Sequence, residues 1–377
     1  MLFLRRRWAL SRPAGTSAYA TQGAPPKERR LNLPIDFSKS PLLHHSRSTF
    51  NQTPGLPQSG PSTRLNLFQA VNAALRTALR ESPKVLCFGE DVAFGGVFRC
   101  TMDLQSEFGP DRVFNTPLTE QGIVGAAIGA AAEGMKPIAE IQFADYVFPA
   151  FDQIVNEASK FRYREGETGA NVGGMVIRMP CGGVGHGALY HSQSPESLFC
   201  HVPGFKVVVP RSPTQAKGLL LASVASNDPV IFMEPKILYR AAVEQVPDES
   251  YTLPLSSAEI IKPGKDLTII SYGRPLYTCS AAIEAAEKDF GVSIELIDLR
   301  TIYPWDRQTI VNSVKNTRRA IVVHESMVNM GVGAEVAATI QEKAFLHLEA
   351  PVKRVAGYTT HTGLVWEKYV VPDVTSM

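Results

Sequence analysis

The residue best placed to do chemistry is Glu120, which stands directly before a segment made almost wholly of glycine and alanine. That segment predicts a helix over residues 122–134, and a carboxylate at a helix N-terminus can be explained by the free amide groups and the dipole alone. Gly125 and Gly129 would, however, let another backbone approach this helix closely. We therefore expect Glu120 to be buried against a partner, where a carboxyl group can share a proton with a ring nitrogen.

A second group of candidates, Gln142, Phe143 and Tyr146, lies at the end of a predicted strand. Taken alone, these residues are compatible with two core aromatics and one amide. The loop Gly89-Glu90-Asp91 follows another predicted strand, and α/β folds place their ligands at the carboxyl ends of parallel strands. The loop over residues 89–91 is therefore a candidate for ligand binding.

A glycine-rich loop from Gly182 to Gly187 carries His186 and is followed by His191. It does not have the dinucleotide-binding spacing, because no third glycine opens a helix where one is needed. A lone loop histidine is usually just solvated, but imidazole is suited to proton transfer near neutral pH. We interpret the segment as a flexible active-site loop.

The elements that must position these residues alternate regularly along the chain. Strands are predicted over residues 85–88, 137–143, 174–178, 206–209, 230–233, 267–272, 292–299 and 320–324. Helices are predicted from Leu67 to Pro83, over 122–134 and 148–164, after Ser212-Pro213-Thr214-Gln215, and over 276–290, 307–314 and 334–345. Such repetition predicts parallel sheets with helices on both faces.

The predicted fold class is α/β, with two domains that are each a mostly parallel sheet flanked by helices. We expect a processed leader and disordered arm over residues 1–63, a first domain over 64–240, a linker over 241–265 and a second domain over 266–377. The linker is Pro-punctuated and polar and lacks either periodicity.

Composition excludes several classes of protein. The net charge of +2 gives no large field of one sign, so neither nucleic acid nor a membrane surface is expected as a partner. No run of 18 apolar residues predicts a membrane span. The five cysteines are odd in number and form no CxxC pair, which argues against a disulfide framework and a zinc cluster.

The N-terminal segment is typical of a mitochondrial transit peptide. Its first 27 residues are rich in arginine, serine and threonine, and the first acidic residue is Glu28. A secretory signal is the alternative, since Ala18-Tyr19-Ala20 imitates a cleavage site, but the continuous apolar core of such signals is missing. We expect the mitochondrial matrix as the location.

Several motifs together resemble the β subunits of branched-chain 2-oxo acid dehydrogenases, within the thiamine-diphosphate-dependent transketolase-like family. The segments that carry the resemblance are FGEDVAFGGVFRCT at 88–101, AEIQFADYVFPAFDQIVNE at 139–157, GHGALYHSQSPE at 185–196 and PKILYRAA at 235–242. The resemblance covers essentially residues 64–372. It implies a pyrimidine-binding-type domain followed by a transketolase C-terminal-type domain.

The resemblance also implies roles for individual residues. Glu120 matches the family glutamate that hydrogen-bonds the cofactor's pyrimidine ring, favouring the imino tautomer that removes the thiazolium C2 proton. Leu118, Gln142 and Tyr146 match residues that contact that ring. His191 matches the histidine implicated in handing the acyl group to the lipoyl arm, and His186 is a supporting residue.

Metal sites are implied in the same way. The family's site for the divalent ion on the diphosphate begins Gly-Asp-Gly, and this sequence contains no such triplet. The resemblance therefore assigns Mg²⁺ and diphosphate anchoring to an α subunit. A structural potassium ion is implied by the match of five residues, Gly173, Met175, Val176, Ser223 and Asp228, although Ser226 stands where an acid is expected.

The implied protein is one half of an α2β2 enzyme that decarboxylates the 2-oxo acids of leucine, isoleucine and valine and acylates the lipoyl groups of an acyltransferase core. One alternative is a pyruvate dehydrogenase β subunit, although the segment ALYHSQ at 188–193 favours the branched-chain class. An alternative of another class is a non-catalytic assembly module. The second domain, including Glu325, is expected to serve packing and core docking, and the short tail after Val374 departs from the family pattern.

Overall fold

The computed structural model describes residues 34–377, so the expected leader in the first 27 residues lies outside it. Within this described range, no helix is both long and apolar enough to cross a bilayer. All five cysteines are free thiols.

The strands form two mostly parallel sheets and one small ribbon. They are β1 Ser62–Asn66, β2 Val85–Gly89, β3 Val113–Asn115, β4 Lys136–Glu140, β5 Val176–Cys181, β6 Lys206–Val208, β7 Val230–Pro235, β8 Val243–Pro247, β9 Glu259–Lys262, β10 Leu267–Ser271, β11 Ile294–Asp298, β12 Thr301–Tyr303, β13 Ala320–Met327 and β14 Lys353–Gly357.

The larger sheet has the order β12-β6-β7-β5-β4-β2-β3, and every pairing in it is parallel except that of β12 with β6. The second sheet has the order β14-β13-β10-β11-β9, with β9 alone antiparallel. Strands β1 and β8 form the antiparallel ribbon. The α/β fold class with two parallel sheets is therefore confirmed.

Helices connect the parallel strands, as the crossover rule requires. They are α1 Leu67–Glu81, α2 Leu104–Phe108, α3 Glu120–Ala132, α4 Ser159–Thr168, α5 Glu196–Phe199, α6 Pro213–Ala225, α7 Leu238–Ala241, α8 Pro275–Phe290, α9 Arg307–Thr317, α10 Val332–Ala344 and α11 Glu367–Val370.

Local sequence explains where two central helices begin. Asn66 and Gln69 form a capping box at the start of α1. Ser212 accepts a hydrogen bond from the Gln215 amide at the start of α6, with proline at the first helical position. The predicted helix over 148–164 is interrupted instead, because a π-helical segment, Gln153–Ala158, precedes α4.

Residues 34–63 pack onto the first domain, whereas the sequence predicts a disordered arm up to residue 63. Leu42, Leu43 and Leu56 are buried, and Phe50 is buried almost completely. The four side chains join the hydrophobic core around α1 and α6. Isolated apolar residues among prolines and serines show no periodicity, so their burial was not evident from the sequence pattern.

The segment between the domains is also more regular than predicted. Residues 241–265 contain β8, which pairs with β1, and β9, which joins the second sheet. Nearby, the buried Arg211 guanidinium contacts Glu259 at 2.8 Å and Asp298 at 2.6 Å. The segment is therefore part of the interface between the domains.

Candidate active site

Glu120 is the first residue of α3, and the helix begins two residues earlier than predicted. Thr119 precedes it and caps the helix through its hydroxyl, which accepts the Gly122 amide at 3.3 Å. The Glu120 side chain is half-buried in the isolated chain. It therefore lies at the helix N-terminus with part of its surface open to a ligand or a partner.

A second carboxyl group, that of Glu90, lies close to Glu120. Glu90 directly follows β2, which ends at Gly89. Burial, and then the negative charges of Glu120 and Asp91, raise the pKa of the Glu90 carboxyl group. Glu90 Oε1 is buried and has no hydrogen-bond partner among residues 34–377. The site therefore contains two neighbouring carboxyl groups of unequal environment.

Gln142 joins the same edge two residues beyond β4. Its amide nitrogen donates to the Glu90 carbonyl oxygen, and its Oε1 is buried without a partner in the described chain. A buried amide oxygen that lacks a donor carries a desolvation cost, which a ligand N–H would remove. Gln142 is thus oriented as an acceptor.

Two apolar side chains near this edge are exposed. Leu118, in the loop before α3, is 87% exposed, and Tyr146 is 38% exposed. Large apolar side chains exposed beside buried polar groups are typical of a binding surface. Both are residues that the sequence singles out.

His191 meets Tyr146 at the site, although 45 residues separate them. The Tyr146 hydroxyl lies 3.4 Å from His191 Nε2, and the Phe143 ring packs edge-on against the imidazole at a centroid distance of 4.7 Å. His186, by contrast, is exposed. The structure therefore brings the strand-end cluster and one of the two loop histidines together.

Two residues here carry function-like features that the sequence did not single out. Asp145 is buried and accepts the Ser192 and Gln193 amides at 3.1 and 3.0 Å. Lys236 is 6% exposed, and its ammonium group lies 5.4 Å from the Phe143 ring centroid without a hydrogen-bond partner in the described range. The contacts of Asp145 and of Lys236 each join segments that are distant in the sequence. The pattern of neighbouring residues therefore could not predict them.

A buried ionic cluster behind the site fixes the strand ends. Arg178 on β5 contacts Glu140 on β4 at 2.6 Å and makes two bonds to Glu234 on β7, at 2.7 and 2.9 Å. The Tyr239 hydroxyl donates to the same Glu234. Burial raises the pKa of Glu140 even though Arg178 opposes the shift.

The five residues of the predicted potassium site lie on two loops and the ends of their neighbouring elements. Gly173 packs so closely against Asn227 that a Cβ would lie 2.9 Å from its carbonyl oxygen. The Lys206 ammonium group, however, contacts Asp228 and lies 3.3 Å from Ser226 Oγ. Arg162 Nε also lies 3.9 Å from the Asp228 carboxylate, so a potassium ion would share that group with two cations. The potassium site stays a prediction.

The fold has a counterpart among solved structures. The chain is similar to a split-gene transketolase described as an inactive β4 tetramer, with a TM-score of 0.67 over 83% of this chain and 95% of that one. Sequence identity is 23%, so this similarity shows the fold alone.

Family models match both halves of the chain. The transketolase pyrimidine-binding domain matches residues 63–242, and the transketolase C-terminal domain matches residues 256–377. The protein is therefore of the transketolase-like class, whose pyrimidine-binding domain implies thiamine diphosphate as cofactor. The unpaired acceptors of Glu90 and Gln142 and the exposed ring of Tyr146 fit an aminopyrimidine, which offers N–H donors and an aromatic face.

Sequence relatives narrow the class. The chain is 67% identical to the mitochondrial 2-oxoisovalerate dehydrogenase subunit beta of Chaetomium thermophilum, over 93% of this chain and 76% of the relative. Identity is 55% to the Dictyostelium discoideum subunit, over 86% and 92%. A pyruvate dehydrogenase E1 subunit beta of Staphylococcus aureus is 47% identical over 79% and 91%. This chain belongs to the family of branched-chain 2-oxo acid dehydrogenase E1 β subunits.

The comparisons decide the alternatives that the sequence left open. The branched-chain assignment is confirmed over the pyruvate dehydrogenase subunit, and the chain is a component of an oxidoreductase rather than a non-catalytic module. The mitochondrial location is confirmed by the mitochondrial relatives.

Proposed function

We propose that Glu120, Gln142, Tyr146 and Leu118 bind the aminopyrimidine half of thiamine diphosphate. The observation that carries the proposal is the convergence of Glu120, Glu90 and the unpaired Gln142 amide oxygen at the carboxyl ends of adjacent parallel strands. Ligand N–H groups would satisfy these acceptors, and Tyr146 and Leu118 would cover the faces of the ring.

Each residue then has a distinct chemical task. Glu120 hydrogen-bonds a ring nitrogen and exchanges a proton with it. When bound, thiamine diphosphate supplies a carbanion that adds to the 2-oxo acid and a sink for the electrons left by decarboxylation. His191, beside the Tyr146 hydroxyl, assists transfer of the acyl group to the lipoyl arm by moving a proton.

The other half of the site belongs to an α subunit, in an α2β2 assembly. The described residues contain no cluster of three or more metal-ligating side chains, and the sequence has no Gly-Asp-Gly motif for the diphosphate metal. Mg²⁺ is therefore held by the partner. Gly125 and Gly129 support this interface, because a Cβ at either position would meet no atom of the described chain within 4 Å.

The substrates are branched-chain 2-oxo acids and the lipoylated domain of an acyltransferase core. The closeness of the branched-chain relatives supports this choice of acids. The second domain is proposed to dock on the core.

The test is replacement of Glu120 by glutamine in the assembled enzyme. The amide keeps the size of the side chain but cannot take up the proton, so decarboxylation should fall by about 10²–10⁴-fold. Cofactor binding, measured by calorimetry, should persist. Glu133→Gln, an exposed change at the other end of α3, is the matched control. Full turnover by the Glu120 variant would contradict the proposal.

A further inference from the structure

The loop that carries His191 is held by a carboxylate from near the end of the chain. Glu367 is the first residue of α11, in the second domain, and it is 2% exposed. Its carboxylate accepts the Gly185 amide, the Gly187 amide at 3.3 Å and the Ser192 hydroxyl at 3.4 Å. Three donors of one loop thus share a single buried acceptor group.

Ser192 is the point at which both domains hold the loop. Its amide donates to Asp145, which lies in the first domain beside Tyr146, while its hydroxyl donates to Glu367 in the second. His191 directly precedes it. Fixing residue 192 from two sides therefore limits where the His191 imidazole can lie relative to the Tyr146 hydroxyl.

The glycines of this loop make room for the carboxylate. A Cβ at Gly183 would overlap the Glu367 carboxylate, and a Cβ at Gly187 would overlap the Ser192 hydroxyl. The sequence predicts a flexible loop from the same glycines. Their small size instead allows a side chain of the second domain to reach the loop amides.

The charge of Glu367 has a buried counterpart. Burial lowers the pKa of the Lys236 ammonium group. The negative charges of Asp145, Glu325 and Glu367 oppose this shift, because they favour the protonated form. Glu325 in turn accepts the Gly183 amide at 2.6 Å and a bond from Arg274 at 3.2 Å. Glu325 and Glu367 therefore both bind amides of this loop, at Gly183 and at Gly185 and Gly187.

We propose that Glu367 is a positioning residue for His191 in acyl transfer to the lipoyl arm. It holds the loop amides and the Ser192 hydroxyl so that the imidazole stays beside Tyr146. The inference rests on the proposed function of His191. It gives the second domain a part in the reaction beyond assembly and docking.

The experiment compares two half-reactions of the assembled α and β enzyme with thiamine diphosphate. Decarboxylation is followed with an artificial electron acceptor, and acyl transfer with an isolated lipoylated domain. In Glu367→Gln, kcat for acyl transfer should fall at least about 10-fold because the imidazole is misplaced. Decarboxylation and the KM for the lipoylated domain should stay within about twofold.

Two further variants keep this test decisive. Glu342→Gln on α10, an exposed position, should change neither reaction. Ser192→Ala removes only the hydroxyl link and should lower acyl transfer by roughly threefold, even if the Glu367 variant does not fold. Hydrogen exchange at the amides of Gly185 and Gly187 should be faster in Glu367→Gln than in the control.

The outcomes separate this inference from the proposed function. If His191→Ala loses acyl transfer while Glu367→Gln and Ser192→Ala keep it, the positioning role is overturned and the role of His191 stands. If His191→Ala retains acyl transfer, the proposed role of His191 fails and the inference with it. Equal loss of both half-reactions together with lost cofactor binding in Glu367→Gln would show a purely structural residue.

Discussion

Replacement of Arg178 by methionine should destabilise the first domain strongly. The guanidinium group is 1% exposed and lies between Glu140 and Glu234, so the variant leaves two buried carboxylates without their cation. Breaking a buried ion pair costs about 3–5 kcal/mol, and here one cation serves two partners. We expect a loss of about 4 kcal/mol or more, which for a domain of this size lowers the midpoint of thermal unfolding by roughly 8–16 °C.

The assay is thermal unfolding of the assembled enzyme. The concentrations of protein and cofactor are held fixed, because binding of the α subunit or of the cofactor shifts the unfolding midpoint. Arg307→Met is the matched control. Arg307 meets Glu335 at 3.3 Å, but both side chains are more than half exposed, so its loss should cost less than about 1 kcal/mol. The deficit of the Arg178 variant should also grow as pH rises, because buried unpaired carboxyl groups are most stable when protonated.

A loss in the Arg178 variant no larger than in the control would refute this reasoning. It would mean that Glu140 and Glu234 gain water at little cost once the guanidinium group is removed. The strand ends that carry Gln142 would then not depend on the cluster behind them.

Two other predictions concern pH and cations. Burial raises the pKa of Glu196 to about 7, against an ordinary value of 4.5. The folded state therefore holds this proton more tightly, and the resulting stability of about 3 kcal/mol is complete below pH 4.5 and lost as pH rises to about 7. Glu196→Gln should make the unfolding midpoint less dependent on pH across that window. An unchanged slope of midpoint against pH would contradict the assignment. Because Lys206 already contacts Asp228, exchange of potassium for sodium should move the midpoint by less than about 1 °C, and a clear potassium-specific rise would show instead that the predicted ion binds.

Much of the fold was predictable because local signals agree with the tertiary structure. The alternation of strands and helices gave both parallel sheets, and the cap formed by Ser212 fixed the start of α6. Glu120 at a helix start and Gln142 after a strand could be located from local pattern, whereas their shared role with Tyr146 came from the family resemblance. His191 was found through a resemblance rather than through local pattern.

The features that escaped prediction depend on contacts between distant segments. The burial of Phe50 requires a core built by helices that follow it in the chain. Strand β12 is three residues long and pairs with a strand almost a hundred residues away. Glu367 meets the histidine loop across 175 residues or more of sequence. Such partners cannot be predicted from a short window of neighbouring residues.

Strand β12 has a consequence for how the two halves of the chain can move. By sequence it follows the second domain's β11 directly, yet its hydrogen bonds complete the first domain's sheet. Swinging the halves apart as rigid bodies would require tearing this strand from β6. The pairing therefore ties the two halves together, and a protein truncated before Leu267 would present the open flank of β6 to any chain able to pair with it.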